Sequence, residues 1–490
     1  MRNLLLSTLL WLSVLTVTAQ NGVWLSVPRP QKINLLKGNP FVIDQTTTIR
    51  VAANDSNMER NARFLLQDIS QLTGLRLKTC AAMKLRQIVL SIDKNIGHPE
   101  GYTIMADSRC LTIAGSTPEA VFHGVQRLVK ALPVKTGIKS VSLPAVSIDD
   151  YPRFAYRGFL LDVGRHFFTV DDVKRIIDIL ALHQVNYLHW HLTEDQGWRI
   201  EIKKYPLLTQ IGARRDSTLS IPYTQIYDHE PVTGYYTQQE AHDIVKYAAD
   251  RYITVIPEID LPGHMLAALA SYPELGCTGG PYSVPARFGV FEDVLCGGNP
   301  RALQFAKDVL TEVMDIFPSP YIHIGGDECP KTRWKDCPKC QARIKELGLT
   351  DNPGHTKENQ LQTAFMADVE QVIKERGRKM MGWEEILDGT PEKTNIVMAW
   401  TGYMSALRSA QEGFPTIICP MQNFYFSNRG YNLLKGRDGI QRVYDVEPVA
   451  PALKPDKQRN IIGVEACVWT EWVKDMATVE WQMLPKIAAV

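Results

Sequence analysis

Two adjacent carboxylates, Asp327 and Glu328, follow a short hydrophobic run that ends in Gly325 and Gly326. Glycine lets the backbone approach neighbouring groups closely. Two carboxylates in one enclosed pocket push their pKa values apart, so that one is protonated while the other is ionised. Such a pair can act as acid and base, which is the chemistry that cleaves a glycosidic bond. Because most adjacent acidic pairs are simply solvated, it is the position after a strand-like run that singles this pair out.

Charged side chains end other hydrophobic runs of the chain. His264 follows a Pro-Gly turn, where a lone histidine can simply cap or pack the turn, but it arrives with Glu258 and Asp260 at the end of the same run. That grouping favours a functional site over a packing role. Arg165 also follows such a run. It can be a surface salt-bridge partner, yet its fixed fork of donors suits vicinal hydroxyl groups.

Aromatic side chains end three of the runs. An isolated tryptophan usually packs in a core, but Trp383, Trp400 and Trp469 all stand at run ends. Flat apolar faces that flank a sugar ring are a physically sensible use for them. The chain holds 10 Trp and 18 Tyr, a richness that alone does not distinguish stacking on sugars from stacking on nucleobases.

Eight short apolar runs carry these residues, and helical patterns follow most of them. The runs are residues 157–163, 185–192, 253–260, 321–324, 379–383, 395–400, 416–419 and 461–469. Apolar strands that alternate with helices form a parallel sheet covered on both faces, and eight such units close a (β/α)8 barrel. The active site of that fold lies at the carboxyl ends of its strands, where the polar residues stand. A doubly wound open sheet is the structural alternative, since the sequence does not carry strand order.

The connections between the runs are predicted from the same periodicity. Helical patterns cover residues 170–183, 238–252, 301–317, 358–376, 404–412 and 478–490. The fifth connection, residues 384–394, is too short for a full helix, and the seventh, residues 420–460, reads mostly as loop.

A separate small α/β domain is predicted before the barrel, over residues 22–150. Strand-like runs at 47–52, 88–92, 102–106 and 111–114 alternate there with helical patterns at 57–72 and 118–132. A polar stretch closed by Pro152 ends this domain, and residues 151–490 are assigned to the catalytic barrel. The barrel therefore exceeds the roughly 150 residues of an average domain.

Net charge excludes some partners. The 490 residues include 54 Lys and Arg against 53 Asp and Glu, which gives a formal charge of +1. A nucleic-acid binder normally shows a basic patch, so we expect no nucleic-acid partner. The charge fits a mostly neutral substrate such as a sugar.

The first 19 residues have the pattern of a secretory signal, with a charged start, an apolar stretch from Leu4 to Val17 and a small residue at Ala19. A membrane anchor is the alternative, but the apolar stretch is shorter than the ~20 residues that span a bilayer. We therefore expect cleavage before Gln20, export to the periplasm or outside the cell, and no membrane insertion.

Nine cysteines are free to be oxidised in an exported protein. Cys337 and Cys340, with Cys329 nearby, resemble half of a zinc site. No second cluster with metal spacing follows them, so the sequence favours a loop disulfide there. Cys277 and Cys296 bracket a loop rich in Gly and Pro and are another plausible pair.

The chain as a whole resembles family 20 glycoside hydrolases, the β-N-acetylhexosaminidases. The matching stretches are RGFLLDVGRHF (157–167), HWHLTEDQGW (189–198), PEIDLPGH (257–264), HIGGDE (323–328), GWEE (382–385) and WTE (469–471). The resemblance implies a small α/β domain followed by a catalytic barrel. It also implies substrate-assisted catalysis, in which the sugar supplies its own nucleophile, with no metal or organic cofactor.

The resemblance assigns catalytic roles by residue. Glu328 would protonate the leaving oxygen and then activate water. Asp327 would orient the 2-acetamido group, whose carbonyl oxygen attacks the anomeric carbon to form an oxazolinium ion. Tyr425 would donate to the acetamido oxygen, and Asp195 with His264 would form a relay that tunes Glu328.

Substrate-binding roles follow from the same resemblance. Arg165 and Glu471 would bind the O3/O4 edge of the sugar, and Trp383, Trp400 and Trp469 would enclose the acetamido methyl and the ring. The substrate would be an oligosaccharide or glycoconjugate that ends in a β-linked N-acetylhexosamine.

The sequence departs from the family pattern at two places. In the family, an acid that binds the sugar O6 usually stands two residues after the tyrosine that corresponds to Tyr425. This chain has Ser427 at that position. Loss of that carboxylate suggests acceptance of a 6-O-sulfated N-acetylglucosamine, with Arg429 as a partner. The alternative is that another group binds O6 and substrate choice is unchanged. The chain also stops at Val490, inside the last predicted helix, which suggests a C-terminal truncation.

Two rival functions are open at this stage. A non-catalytic carbohydrate-binding barrel would need the tryptophans but would have no use for the Asp327-Glu328 pair beside a histidine relay. A glycosidase with a carboxylate nucleophile would cleave substrates that lack the 2-acetamido group.

Overall fold

A computed structural model describes residues 22–51, 55–389, 391–427 and 439–490. The predicted signal segment lies outside these residues, as does Arg429. The chain divides into two compact units, one formed mainly by residues 1–153 and one mainly by residues 154–490. No helix in the described part of the chain is long and apolar enough to cross a membrane.

The first unit is a seven-stranded mixed sheet with two helices and a separate strand pair. Its strands are β1 Lys32–Leu35, β2 Phe41–Asp44, β3 Thr48–Arg50, β4 Lys78–Thr79, β5 Gln87–Ile92, β6 Tyr102–Ala106, β7 Cys110–Gly115, β8 Ser140–Leu143 and β9 Val146–Asp150. The main sheet has the order β1-β9-β6-β7-β5-β3-β4, and β2 pairs with β8. The sequence prediction missed β1, β2, β4, β8 and β9. These strands have two to five residues, too few for a clear period-2 signal.

The two helices of this unit begin where their capping residues place them. The Asp55 side chain accepts hydrogen bonds from two backbone N–H groups at the start of helix Ser56–Thr73. Thr117 caps helix Pro118–Ala131, whose first-turn proline needs no hydrogen-bond donor. Both helices lie within one or two residues of their predicted bounds.

The second unit confirms the predicted barrel. Its strands are β10 Tyr156–Asp162, β11 Tyr187–His191, β12 Thr193–Glu194, β13 Gly197–Trp198, β14 Arg214–Arg215, β15 Val232–Thr233, β16 Thr254–Glu258, β17 Tyr321–His323, β18 Lys379–Trp383, β19 Ile396–Ala399, β20 Thr416–Ile418 and β21 Ile461–Val468. Eight parallel strands close in the order β10-β11-β16-β17-β18-β19-β20-β21, so the open-sheet alternative is wrong. The other four form two short antiparallel ribbons above the barrel strands.

Closure of the barrel requires a glycine between the first and last strands. Tyr156 pairs with Gly463 across β10 and β21. A Cβ at Gly463 would stand 1.9 Å from the carbonyl oxygen of Tyr156, a backbone atom that cannot turn aside. Only glycine allows the two strands to meet there.

Helices connect most of the barrel strands. The α-helices are Val170–Leu182, Leu207–Gln210, Gln238–Ala249, Leu266–Ser271, Pro300–Ile316, Thr332–Asp336, Pro338–Glu346, Lys357–Glu375, Tyr403–Glu412, Met421–Phe424, Gly439–Tyr444 and Met476–Met483. The 3₁₀ helices are Pro273–Leu275, Glu384–Asp388, Pro455–Asn460 and Lys486–Ala489.

Two of the connections bear on the sequence predictions. The fifth connection is predicted to be too short for a full helix, and its described residues contain the short 3₁₀ helix Glu384–Asp388. The predicted continuous helix 478–490 is wrong, because the α-helix ends at Met483, just before Leu484 and Pro485. Proline lacks an N–H donor and disfavours a helical conformation in the residue before it.

Candidate active site

A cavity of about 550 Å³ lies in the barrel unit and contains most of the predicted site residues. It is lined by Arg165, Glu194, Pro222, Tyr223, Asp327, Glu328, Trp383, Trp400, Tyr425, Ser427, Trp469, Glu471 and Trp472. Of the predicted residues only Asp195 and His264 do not line the cavity, and both contact residues that do. The carboxyl ends of the barrel strands thus bring together residues that are more than 300 positions apart in sequence.

The turn after β17 aims the two adjacent carboxylates. Gly325, Gly326 and Glu328 have φ values of 65°, 103° and 43°, in the left-handed region. A Cβ at Gly325 would lie 1.8 Å from Oδ1 of Asp260, the oxygen that accepts a hydrogen bond from the backbone N–H of Gly326 at 3.3 Å. The first glycine is therefore needed for close approach, as predicted. Glu328 itself adopts a conformation that is unfavourable for a residue with a side chain, and such strain is common at functional sites.

Asp327 is largely buried, and its pKa is raised. Its side chain is 16% exposed, and its Oδ1 has no hydrogen-bond partner in the described part of the chain. Burial, with a smaller contribution from the nearby carboxylates of Glu258 and Glu328, outweighs the opposing charge of His264 and raises the pKa of Asp327 to about 6. An unpartnered buried acceptor is costly, so this oxygen is available for a donor that comes from outside the protein.

The predicted relay is in place beside this pair. Nδ1 of His264 lies 3.1 Å from Oδ2 of Asp195, and Nε2 of His264 lies 3.6 Å from Glu328. The other carboxylate oxygen of Asp195 accepts the backbone N–H of Leu266 at 2.9 Å, which fixes its orientation. Contact with His264 lowers the pKa of Glu328, although burial opposes the shift.

Glu194 is the central residue that sequence reasoning missed. The sequence analysis gave a role to its neighbour Asp195 but none to Glu194, yet both are fully buried. Glu194 contacts Arg165 at 2.5 Å, His191 at 3.0 Å and His264 at 3.1 Å. Its pKa is well below the ordinary value because these cationic groups outweigh the effect of burial. The signal that could have found it was its place in the stretch 189–198, at the end of a barrel strand.

Arg165 is held by carboxylates on one side and an aromatic face on the other. Asp162 lies 3.4 Å from its guanidinium, in addition to the contact with Glu194. The guanidinium also stands 5.1 Å from the centre of the Trp469 ring. Burial lowers the pKa of Arg165, but Glu194, Asp162 and Glu471 outweigh burial and raise it. Arg165 is therefore a fixed cation whose fork faces the cavity rather than a surface side chain.

Four aromatic side chains form a wall of the cavity. Trp383 and Trp469 have ring centres 5.8 Å apart, Tyr425 lies 5.7 Å from Trp469, and Trp400 lies nearly parallel to Tyr425 at 6.3 Å. Hydrogen bonds set the orientation of two of these side chains. The indole N–H of Trp383 donates to Glu258 at 2.9 Å, and that of Trp400 donates to Glu385 at 3.2 Å.

A buried layer of charge below the cavity supports this wall. The carboxylate of Glu258 is fully buried and forms hydrogen bonds with His191 and with the indole N–H of Trp383. Ring nitrogens of His189 and His323 lie 3.0 Å and 2.9 Å from its oxygens. Its pKa is well below the ordinary value, because the histidines outweigh burial. His189, Glu258 and His323 lie close enough to hold a metal ion, but donors already occupy both oxygens of Glu258. We interpret the group as a hydrogen-bond network.

The rim of the cavity carries residues that no motif singled out. Tyr223 is fully exposed and has a φ of 60°, and Trp472 follows the last predicted site residue. Ser427 lies at the rim as expected from the sequence, and its Oγ accepts the backbone N–H of Trp469 at 2.9 Å. The partner proposed for a sulfate, Arg429, lies outside the described residues. Acceptance of a 6-O-sulfate therefore stays a prediction.

The geometry supports acid–base chemistry on a neutral, ring-shaped molecule. The partly exposed carboxylate of Glu328 contacts His264, and Asp327 has an oxygen free for a donor. Arg165 and the aromatic side chains line the same cavity. This combination provides proton transfer and positioning in one pocket.

Comparison with known proteins agrees with this chemistry. Residues 154–490 match the catalytic domain of glycosyl hydrolase family 20, and residues 26–151 match domain 2 of that family. The chain is 36% identical to a beta-hexosaminidase of Porphyromonas gingivalis, over 95% of this chain and 59% of the relative, so it spans less than two thirds of that protein. It is 33% identical to a beta-hexosaminidase of Vibrio furnissii, over 97% of this chain and 77% of the relative.

A solved structure extends the comparison to three dimensions. The family 20 exo beta-N-acetylglucosaminidase of Vibrio harveyi, crystallised with N-acetylglucosamine, superposes with a TM-score of 0.84 at 30% identity. The match covers 95% of this chain and 73% of the Vibrio protein.

The buried carboxylate of Glu258 generates a stability prediction. Glu258→Gln removes the charge that three histidines and one indole N–H face, and we expect a loss of about 3 to 5 kcal/mol in the free energy of unfolding of the barrel. Urea denaturation measured by tryptophan fluorescence checks the value. The same exchange at the exposed Glu346 is the control and should stay within about 0.5 kcal/mol of the parent. Equal stability of the two variants would contradict the role of Glu258.

Proposed function

The chain belongs to glycosyl hydrolase family 20, and we propose that it is an exo-acting, retaining β-N-acetylhexosaminidase. It removes terminal β-linked N-acetylglucosamine or N-acetylgalactosamine from oligosaccharides or glycoconjugates. The observation that carries the proposal is the Asp327-Glu328 pair, with one acceptor oxygen unpartnered and the other carboxylate coupled to His264. The names of the curated relatives and the N-acetylglucosamine complex of the Vibrio harveyi enzyme support the same activity.

The first chemical step uses the substrate's own 2-acetamido group. Oδ1 of Asp327 accepts the acetamido N–H, which orients the group and makes its carbonyl oxygen more nucleophilic. That oxygen bonds to the anomeric carbon while the glycosidic C–O bond breaks and Glu328 donates its proton to the leaving oxygen. The products are an oxazolinium ion and a free alcohol.

The second step reverses the role of Glu328. The carboxylate takes a proton from water, the water oxygen bonds to the anomeric carbon, and the oxazolinium ring opens to restore the acetamido group. Two displacements on one carbon retain the β configuration. Because His264 lowers the pKa of Glu328, the base is ready for this step. A bound sugar that covers the 41% exposed Glu328 side chain favours the protonated acid in the first step.

The rest of the cavity explains the choice of a terminal sugar. The buried layer around Glu258 closes the cavity from below, so only a chain end can enter. Arg165 and Glu471 supply a cation and a carboxyl group for the O3/O4 edge, and Tyr425 donates to the acetamido oxygen. The faces of Trp383 and Trp469 enclose the acetamido methyl.

The cellular location is proposed from the sequence alone. We propose that the enzyme is exported to the periplasm or beyond the cell, because residues 1–19 have the pattern of a secretory signal. N-terminal sequencing of the enzyme from its native cells tests this proposal, since an intact leader would contradict it.

The activity and the role of Glu328 are tested together. We expect hydrolysis of p-nitrophenyl N-acetyl-β-glucosaminide and none of the matching β-glucoside, because the glucoside lacks the acetamido nucleophile. Glu328→Gln should lower kcat for a substrate with a poor alcohol leaving group by about 10²- to 10⁴-fold. The loss should be smaller for p-nitrophenol, which leaves without protonation.

The same assay distinguishes the proposed function from the two rival functions. Hydrolysis of the β-glucoside would favour a carboxylate nucleophile, and sugar binding without hydrolysis would favour a binding barrel. Glu346→Gln is the matched control and should retain full activity.

The raised pKa of Asp327 sets the acid limb of the pH profile. Asp327 accepts the acetamido N–H only when it is ionised, and its pKa is about 6. We expect kcat/KM to fall by about tenfold per pH unit below that value. Asp327→Asn cannot ionise, so it should show low activity without this limb. A parent profile that stays flat from about pH 7 to about pH 5 would contradict the assignment.

Ser427 carries the prediction about sulfated substrates. Because Ser427 carries no charge that repels a sulfate, we expect the enzyme to accept 6-O-sulfated N-acetyl-β-glucosaminides. The ratio of kcat/KM for the sulfated and plain substrates should fall in Ser427→Asp. An equal ratio in parent and variant would show that another group governs O6.

A further inference from the structure

Four cysteines of the barrel unit come together from distant parts of the chain. They are Cys277, Cys296, Cys337 and Cys340, and all are free thiols. Sγ of Cys296 lies 3.6 Å from Sγ of Cys337 and 3.6 Å from Sγ of Cys340, while Cys277 and Cys340 are 3.8 Å apart. All four sulfurs lie within 4.8 Å of one another. Cys277 and Cys296, which the sequence suggested as a separate pair, thus join the Cys337-Cys340 motif from an earlier part of the chain.

The spacing of these sulfurs matches a tetrahedral metal site. Four thiolates bound to zinc at about 2.3 Å stand about 3.8 Å apart along each edge of the tetrahedron. We propose that Cys277, Cys296, Cys337 and Cys340 form a structural zinc site. The set is closed, with four protein ligands and no open position, which distinguishes it from a catalytic zinc.

Cys337 and Cys340 come from the start of a helix. Cys337 is the N-cap of helix Pro338–Glu346, and Cys340 lies in its first turn. Two cysteines separated by two residues are a common half of a zinc site. The free N–H groups and the positive end of the helix dipole also favour the thiolate form that binds metal.

Cys277 and Cys296 are brought together by backbone pairing. Gly276 and Leu295, the residues just before each cysteine, form an antiparallel bridge. The N–H of Cys296 donates to the carbonyl oxygen of Leu275 at 2.9 Å. The base of the long loop between the two cysteines is therefore closed without a disulfide.

A glycine lets the two pairs meet. A Cβ at Gly298 would lie 2.2 Å from the carbonyl oxygen of Lys339 and 2.5 Å from the backbone nitrogen of Cys340. Only glycine at this position therefore allows the chain that follows Cys296 to approach the start of the helix that carries Cys340.

The surroundings are apolar and exclude water. Cys296, Cys337 and Cys340 are buried with Trp334 and Ile344 in one hydrophobic cluster. Zinc binding there breaks four S–H bonds, forms four Zn–S bonds and releases four protons, with no change in oxidation state. The ion would cross-link two segments beside the active site, because the loop of Cys277 and Cys296 follows His264 and the helix of Cys337 follows Glu328.

Metal analysis of the whole protein tests the proposal. Protein purified without chelator should contain about one zinc ion per chain, and Cys296→Ser should lower the zinc content by roughly tenfold or more. Cys110→Ser, the same exchange in the other unit, is the control and should keep the metal. Chelator should lower the Tm of the parent more than that of Cys296→Ser, because zinc binds the folded state only.

Cobalt provides a second measurement, which is made first on the parent protein and so does not require a variant to fold. The apoprotein of the parent, loaded with Co²⁺, should show the charge-transfer and d–d absorption of a tetrahedral tetrathiolate. Cys277→Ser, at the more exposed edge, should weaken that spectrum. Three results would overturn the proposal: parent protein without zinc, zinc content unchanged in both variants, or an intact mass that shows the four thiols oxidised to two disulfides.

Discussion

The burial of carboxylates at the closed end of a hydrophobic barrel is the constraint on which the site depends. An isolated buried carboxylate costs several kcal/mol, so each must meet enough donors to remain ionised. Glu258 meets three histidines and an indole, and Glu194 meets Arg165 and two histidines. His191 contacts both Glu258 and Glu194, and His264 contacts both Glu194 and Asp195, so these side chains cannot move independently. The pocket is therefore organised before a substrate arrives, which is the main electrostatic contribution that an enzyme makes.

The same network ties the active site to barrel closure. His189 links Glu258 to Glu465, which in turn accepts a hydrogen bond from the hydroxyl of Tyr156. Tyr156 and Glu465 belong to the first and last strands, β10 and β21, where Gly158 leaves room for the carboxylate of Glu465. The interior of the barrel therefore contains charged side chains at the seam between β10 and β21, and hydrophobic side chains surround them. A change in strand register at the seam would move the residues that orient Trp383.

The sequence predicted what depends on local pattern and missed what depends on distant contact. Runs of apolar residues identified the eight strands, and polar residues at run ends identified Asp327, Glu328 and His264. Glu194 and Glu258 were given no role of their own, because a buried acid and a solvated one look alike until their partners are known. Short strands such as β1 and β8 gave no usable period. The four cysteines were seen as two pairs, since only the folded loops bring the pairs together.

The strained backbone conformation of Glu328 needs stabilising contacts from segments outside the pocket. Glu328 and His264 both have left-handed backbone conformations, which cost about 1 to 3 kcal/mol each unless neighbouring structure imposes them. Glu328 must also stay partly exposed to reach a substrate, so it cannot be packed from the cavity side. Support is left to the segments behind it. Leu295 donates to the carbonyl oxygen of Pro262 at 3.0 Å and accepts from the indole of Trp334 at 3.0 Å, which joins the segments that follow His264 and Glu328. The loop that begins at Cys277 therefore supports the segments that carry His264 and Glu328, the proposed catalytic acid, from the side that faces away from the cavity.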